Sequence, residues 1–297
     1  MVDTANPSDE DNGSGHDGVR CGLVAMLGRP NVGKSSLVNA ACERKVSIVS
    51  DKPQTTRHRV MGVRDTAKNQ IVFVDTPGLH KPVTALGERV NATALSSSDD
   101  VDVHCLVIDA TAPFGGGDRW VAARLDSSRL VVAVNKIDRV DAARTLAQLQ
   151  AVSELDAVAY VPVSARTGDG VAEFVAVLEA MLPEGPRLFP SDAVHDIAPD
   201  QWVAELVREQ LLAIFGDEIP YSIATRVTEW EWPRVRCEII VERESQKPMV
   251  IGRGGAVLKK VGTAVRQQMA PGAHLELRVK VDRDWQRRPD RVERLGY

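Results

Sequence analysis

The sequence predicts an α/β fold in two parts, a domain of buried parallel strands with crossover helices followed by a smaller α+β domain. Three observations carry this. Five short apolar runs, GLVAML (22–27), IVFVD (71–75), VHCLVID (103–109), LVVAVN (130–135) and AVAYVPV (157–163), alternate with helical patterns, as expected of strands covered by helices on both faces. Pro183, Gly185, Pro186 and Pro190 then interrupt the chain, and none of them suits a helix interior. Beyond them the pattern changes to an αββααβ order that repeats nothing of the first part. At 297 residues, each part is large enough to bury its own core.

Taken in order, Met1 to Gly18 are polar and acidic without Lys or Arg, and residues 1–18 are expected to form a disordered acidic tail. The first domain is expected over 19–182, closing with the helix GVAEFVAVLEAML (170–182), and 183–199 form a linker. The second domain, 200–297, opens with the helix DQWVAELVREQLLAIFG (200–216), stopped by Gly216. Two strands follow, YSIATRVTEWEW and VRCEIIVERE, with Pro233 suggesting a tight turn between them. A glycine-rich turn (IGRGG), the helix AVLKKVGTAVRQQM and the strand HLELRVKV complete it.

Composition narrows the function classes. Hydrophobic residues make up 43% and charged residues 26%, ordinary globular usage. There is no apolar run of membrane-spanning length and no basic-then-apolar leader, so a transmembrane or secreted protein is not expected. Cys21, Cys42, Cys105 and Cys237 lack zinc-ligand spacing and read as reduced, buried thiols of a cytosolic protein. Charge is unevenly placed: Gln246 to Tyr297 hold 12 Lys and Arg against 5 Asp and Glu, a net of +7, so the total of −4 leaves −11 on the rest. One end of the chain is built to meet anions.

The run GLVAML passes into Gly28-Arg29-Pro30-Asn31-Val32-Gly33-Lys34-Ser35, which satisfies GxxxxGK[ST] between a strand and a helix. In such a loop the backbone N–H groups curl around phosphate oxygens and the helix N-terminus adds positive potential. Gly28, Asn31, Val32, Gly33, Lys34, Ser35 and Ser36 are the expected phosphate-binding residues, with Lys34 neutralising the β- and γ-phosphates and Ser35 ligating Mg²⁺. IVFVD ends in Asp75-Thr76-Pro77-Gly78, where the carboxylate can hold Mg²⁺ through water and the Gly78 N–H can meet the γ-phosphate. LVVAVN ends in Asn135-Lys136-Ile137-Asp138. The Asp138 carboxylate can accept hydrogen bonds from guanine N1–H and the 2-amino group, donors that adenine does not offer. Asn135 would brace the loop, the Lys136 stem would cover the base, and Ser164-Ala165 would present backbone N–H groups to guanine O6. The expected ligands are GTP or GDP with Mg²⁺, bound by a P-loop NTPase domain of the Ras-like GTPase type.

The second domain carries Gly252-Arg253-Gly254-Gly255, a GxxG that lets a nucleic-acid backbone approach a helix N-terminus. Alone this signal is weak. Arg253 within it, Lys259 and Lys260 on the following helix, and the αββααβ order of a type II KH domain strengthen it, and the +7 charge falls on the same stretch.

These ordered motifs resemble the translation-factor-related GTPases, and Lys52-Pro53-Gln54-Thr55-Thr56-Arg57-His58-Arg59 is similar to one branch of them, the Era family. The resemblance covers nearly all of residues 20–297, including the closing VKVDRDWQRRPDRVERLGY, and leaves the acidic tail outside. In that family a threonine of this segment closes on Mg²⁺ when the γ-phosphate is present, and its place before the arginine favours Thr56 over Thr55. The segment is polar and has no apolar face, as suits a loop that a ligand orders. The expected catalytic set is therefore Lys34, Thr56, Asp75 and Gly78, and the metal set is Ser35, Thr56 and Asp75. The resemblance implies a GTP-hydrolysing switch for assembly of the small (30S) ribosomal subunit, whose KH domain holds the single-stranded 3′ end of 16S rRNA. It further implies a monomer in the cytoplasm, with peripheral association at the inner face of the cell membrane. Composition and spacing by themselves reach a GTPase with an RNA-binding module.

Ras-like enzymes place a water-orienting glutamine after the DxxG glycine, whereas this chain has Leu79 there. Arg57 is a weak candidate for an arginine finger. In related GTPases with an apolar residue at that position, a potassium ion near a P-loop asparagine can supply the missing positive charge, and Asn31 would be its ligand here. Two other functions compete: a constitutive RNA-binding assembly protein in which GTP is mainly structural, and a membrane-trafficking GTPase, for which neither end carries a lipidation motif. Trp202 and Trp230 are expected in packing, while Trp232 and Trp285 remain open between packing and stacking. His58, His80, His104 and His274 show no ligand spacing, and Gly115-Gly116-Gly117 reads as a flexible loop.

Overall fold

Two sheets organise the chain. The computed structural model describes residues 19–52, 55–79, 84–96, 100–216 and 219–297; the acidic tail, Pro53, Gln54 and His80 lie outside the described residues. The first sheet domain comprises, in chain order, β1 (Arg20–Leu27), α1 (Lys34–Cys42), β2 (Val60–Asp65), β3 (Asn69–Asp75), α2 (Ala85–Ser96), β4 (Val103–Asp109), α3 (Gly116–Ala122), β5 (Leu130–Asn135), α4 (Ala142–Val152), β6 (Ala159–Pro162) and α5 (Val171–Met181). Its strand order is β2-β3-β1-β4-β5-β6, parallel except for the β2/β3 pair. β5 is buried along its whole length, so every side chain on it faces a core. One core joins Leu37, Val38 and Phe174 to Phe73 and Val131, and the other joins Ala94, Val121 and Val152 to Leu106 and Val132. Strand order reverses at β1, so a crevice opens at the carboxyl ends of β1 and its neighbours, the usual ligand position of such sheets.

The second domain comprises α6 (Pro199–Ile214), α7 (Ile219–Ser222), β7 (Ala224–Glu231), β8 (Arg234–Val241), α8 (Gln246–Ile251), α9 (Ala256–Arg266), β9 (His274–Val281) and α10 (Pro289–Arg294). β7 and β8 are antiparallel, and β9 joins β8 in parallel. The apolar stripes of α6 and α9, Leu206, Val207, Leu211, Val261 and Val265, cover Val235, Cys237, Ile239 and Val241 on one face of this sheet. A separate cluster joins the domains: Leu86 and Val90 of α2 pack with Ala224, Ile240, Trp285, Val292 and Tyr297.

Several expectations need correction. β2 lies outside the five apolar runs, because it is a short edge strand reached through the turn at Thr66 and Asn69. Gly115-Gly116-Gly117 are not a loose loop: Gly115 caps α3, where the buried Asp118 carboxylate accepts the Gly115 N–H at 3.1 Å. The strand expected from Tyr221 begins at Ala224, since α7 takes up the preceding turn. Trp230 is 41% exposed and Trp232 50%, so Trp230 is not a packing residue; their rings sit 6.5 Å apart near the β7/β8 turn. Trp285 is fully buried, and Trp202 packs against His195 with the rings tilted and their centroids 4.8 Å apart.

The stretch between the domains is tied to the first sheet. Val63 N–H donates to Val194 O at 3.0 Å, Asp196 N–H donates to Met61 O at 3.1 Å, and the Gln70 side chain accepts from the N–H groups of Leu188 and Phe189. It thus covers the exposed edge of β2. All four cysteines are free and buried. No described helix is long and apolar enough to cross a membrane.

Candidate functional site

The loop after β1 wraps the start of α1, and its backbone dictates its residues. Gly33 has φ of +97°, and a Cβ there would collide with the Asn135 amide. Asn31 is also left-handed, at +64°, a conformation that asparagine tolerates better than most residues. Gly78 approaches so closely that a Cβ on it would lie 2.7 Å from the Pro30 backbone. A small pocket is therefore lined by Asn31, Gly33, Lys34, Ser35, Ser36, Thr56 and Gly78, residues drawn from three separate motifs.

Lys34 and Asp75 define its electrostatics. Lys34 is buried and its ammonium donates to the carbonyls of Gly28 at 3.2 Å and Arg29 at 3.0 Å. Burial pulls its pKa down to about 8, against the opposing pull of Asp75. Asp75 is fully buried, with neither carboxylate oxygen in a well-formed hydrogen bond. Burial pushes its carboxyl above the ordinary range, while Ser35, Ser47, Lys34 and Thr56 hold it down. A buried ammonium facing a strand-end carboxylate, each destabilised by desolvation, suits a phosphate chain on one side and a cation on the other. Ser35 Oγ and Thr56 Oγ1 are 2.8 Å apart, so the hydroxyls that would share a Mg²⁺ ion already converge beside that carboxylate. Among the described residues, no group of three or more His, Cys, Asp or Glu could hold a metal ion. The donor set here is hydroxyls with one carboxylate, the hard-oxygen chemistry that Mg²⁺ takes together with phosphate.

Next to this pocket lies an open cavity of about 650 Å³, lined by Asn39, Ala40, Asn135, Lys136, Asp138, Ala165 and Arg166 among others. Asn135 braces it: its amide donates to Val32 O at 3.0 Å and its oxygen accepts from Lys136 N and Ala165 N. Ser164 Oγ donates to Asp138 at 2.8 Å, fixing one carboxylate oxygen and leaving the group turned toward the cavity. Lys136 is held by Asn31 O and by Asp109 at 2.6 Å. Burial works against the Asp109 charge, but hydrogen bonds from Lys136 and from the Thr111 hydroxyl and N–H together hold its carboxyl below the ordinary value.

Sequence reasoning missed three supports. Asp109 ends an apolar run as Asp75 does, and that position was its signal. Arg29 donates to Asp118 at 2.7 Å, tying the phosphate loop to α3. Ser47 is buried beside Asp75, its backbone clamped by the Asn39 side chain, and nothing in the sequence marks it. Arg57 is corrected: its guanidinium is buried in the second domain, donating to Ile223 O at 2.7 Å, and does not serve as an arginine finger. Leu79 is buried.

In the second domain, Gly252-Arg253-Gly254-Gly255 link α8 to α9 with all three glycines at positive φ. Arg253, Lys259 and Lys260 are exposed, and the two lysines line a shallow face of α9 with Thr263 and Gln267. The exposed Arg253 of the loop and the two lysines of the helix that follows it lie outside the lining of both nucleotide-site cavities.

Comparison with known proteins agrees with both halves. Residues 23–136 match the family described as 50S ribosome-binding GTPase, and residues 218–286 match the KH domain family. GTPase Era from Mycobacterium tuberculosis (strain ATCC 25618 / H37Rv) is 45% identical over 93% of this chain and 98% of its own. GTPase Era from Mycobacterium sp. (strain KMS) is 44% identical over 94% and 99%. Among solved structures, Aquifex aeolicus Era bound to GDP·AlF4⁻ superposes with a TM-score of 0.89 at 36% identity, covering 94% of this chain and 99% of that one. An Era complex with MgGDPNP and nucleotides 1506–1542 of 16S ribosomal RNA gives the same values.

Proposed function

Because the chain belongs to the Era family of GTPases, we propose that Lys34, Ser35, Thr56, Asp75 and Gly78 form its hydrolytic site, and that Gly252 to Gly255 with Lys259 and Lys260 form its RNA contact. The protein is a GTPase that binds GTP and GDP with Mg²⁺ and takes part in assembly of the small ribosomal subunit through 16S rRNA. The observation that carries the site assignment is the buried Asp75 carboxylate beside the Ser35–Thr56 hydroxyl pair.

Asp138 and the Ser164-Ala165 turn select guanine, and Asn135 keeps that loop against the phosphate loop. Lys34 and the N–H groups before α1 neutralise the phosphates. Ser35 and Thr56 would hold a Mg²⁺ ion directly and Asp75 through water, and the ion would supply positive charge against the negative charge of the phosphates. Leu79 cannot orient a water molecule, so unaided turnover is slow. Asn31 donates to Asp51 O at 3.0 Å, which leaves its amide oxygen to face a monovalent cation. The reading places the protein in the cytoplasm, with peripheral contact at the inner face of the membrane. Displacement of fluorescent GDP tests the nucleotide assignment: GTP and GDP compete and ATP does not, whereas equal competition by ATP contradicts it.

A further inference from the structure

The residues on either side of Thr56 are gripped by the second domain. The Thr55 carbonyl accepts a hydrogen bond from Arg208 of α6. Arg57 also reaches into the second domain, donating to Ile223 O at 2.7 Å and to the Tyr297 hydroxyl at 3.4 Å, with its guanidinium 5.7 Å from the Trp285 ring. His58 stacks on Tyr297 at 4.7 Å. Between these anchors, Thr56 turns back to Ser35 at 2.8 Å.

Arg208 is itself a fixed point. It has no solvent exposure, its neighbours Leu206, Val207 and Leu211 lie in the second core, and Glu205 one turn earlier answers its charge. Burial works against the Glu205 charge, but Arg208 overrides it and holds the carboxyl below its ordinary value. The guanidinium is thus immobilised on a helix of the RNA-binding domain while its hydrogen bond ends on the backbone next to a candidate Mg²⁺ ligand.

We propose that Arg208 is a positioning residue for GTP hydrolysis: by holding the Thr55 carbonyl from the second domain, it keeps the Thr56 hydroxyl beside Ser35. The proposal rests on Thr56 being the residue that closes on Mg²⁺. A misplacement of about 1 Å at a reacting centre lowers rates by up to roughly 100-fold, so partial loosening of Thr56 corresponds to a loss of about tenfold.

The test uses the full chain and compares steady-state GTP hydrolysis, Mg²⁺ dependence, GDP affinity and thermal melting. Variants are Thr56→Ala, Arg208→Met combined with Glu205→Gln so that neither member of that ion pair is left without the other, and Arg208→Lys. The double variant is expected to lose about tenfold in kcat with KM for GTP little changed, and to need more Mg²⁺, while GDP affinity and the cooperative melt persist. Arg208→Lys, which keeps the charge beside Glu205 and a single shorter donor, is expected to show a smaller loss of the same kind. It decides the matter if the double variant does not fold. Parent-level kcat in a folded double variant, or in Arg208→Lys if the double variant does not fold, overturns the proposal while a defective Thr56→Ala leaves the Thr56 reading standing. Parent-level hydrolysis by Thr56→Ala overturns that reading and the proposal with it.

Discussion

At Asp138, one carboxylate is proposed to decide which purine the protein reads. Ser164 already occupies part of its hydrogen-bonding capacity, so the remainder is available to the two guanine donors. Replacing it in Asp138→Asn presents an amide N–H to those donors and is expected to weaken GTP binding by about 2–4 kcal/mol, with xanthine nucleotides now preferred. A competition series with GTP and XTP on the purified variant checks this, and unchanged guanine preference refutes the assignment. Asn31 carries the second prediction at this scale. Its left-handed backbone aims the side chain at Asp51, within the segment that leads to Thr56, so a cation held by its oxygen would sit where the phosphate loop meets that segment. Hydrolysis should run faster in potassium than in sodium, and Asn31→Ala should remove the difference; equal parent rates in both salts would sink the idea.

Among the elements, the GxxG turn gives the cleanest separation of binding from folding. A Cβ at Gly254 or Gly255 meets no atom within 4 Å, whereas one at Gly252 would strike Val257 at 2.6 Å. Gly254→Asp and Gly255→Asp therefore add a carboxylate at the proposed point of phosphate approach, at a backbone cost of about 1–2 kcal/mol for the left-handed residue. Both should lose binding to a single-stranded 16S 3′-end oligonucleotide and keep GTP hydrolysis, as read by parallel binding and turnover assays. Alanine at Arg253, Lys259 or Lys260 should weaken all sequences alike and flatten the salt dependence. What made these elements legible in the sequence was local chemistry. The phosphate loop, Asp75, Asp138 and the GxxG follow from residue types that a turn or a ligand demands, and the buried strands follow from unbroken β-branched runs. β2 was not legible, because an edge strand shows no such run, and α3 was hidden because three glycines imitate a loose loop until Asp118 caps them. Ser47 and Arg208 were hidden for a different reason: their importance lies in contacts to residues far along the chain, which spacing does not record.

Across the whole molecule, the segment around Thr56 and helix α2 meet the second domain along a seam. His58 is part of that seam, and burial lowers its pKa from the ordinary 6.5, with Glu205 opposing and Arg208 and Arg57 reinforcing the shift. The folded state therefore holds fewer protons than the unfolded state below about pH 6.5. The stabilisation is complete above that value and is lost as pH falls through the lowered folded value. Thermal melting between pH 7.5 and 5, in steps of about 0.5, should show a steeper fall for the parent than for His58→Phe, which keeps a ring against Tyr297 without a titrating nitrogen. Identical slopes would remove His58 from the seam's energetics. We propose that nucleotide state and RNA binding are coupled through this seam, and any such coupling acts equally in both directions. The most direct measurement is the affinity of the full chain for a single-stranded 16S 3′-end oligonucleotide at one salt concentration with a non-hydrolysable GTP analogue, with GDP and without nucleotide. The account predicts affinities differing severalfold between the GTP-like and GDP states, with a matching change in nucleotide affinity when RNA is present. Equal affinity in all three states would contradict it and favour a constitutive RNA-binding protein in which GTP is structural.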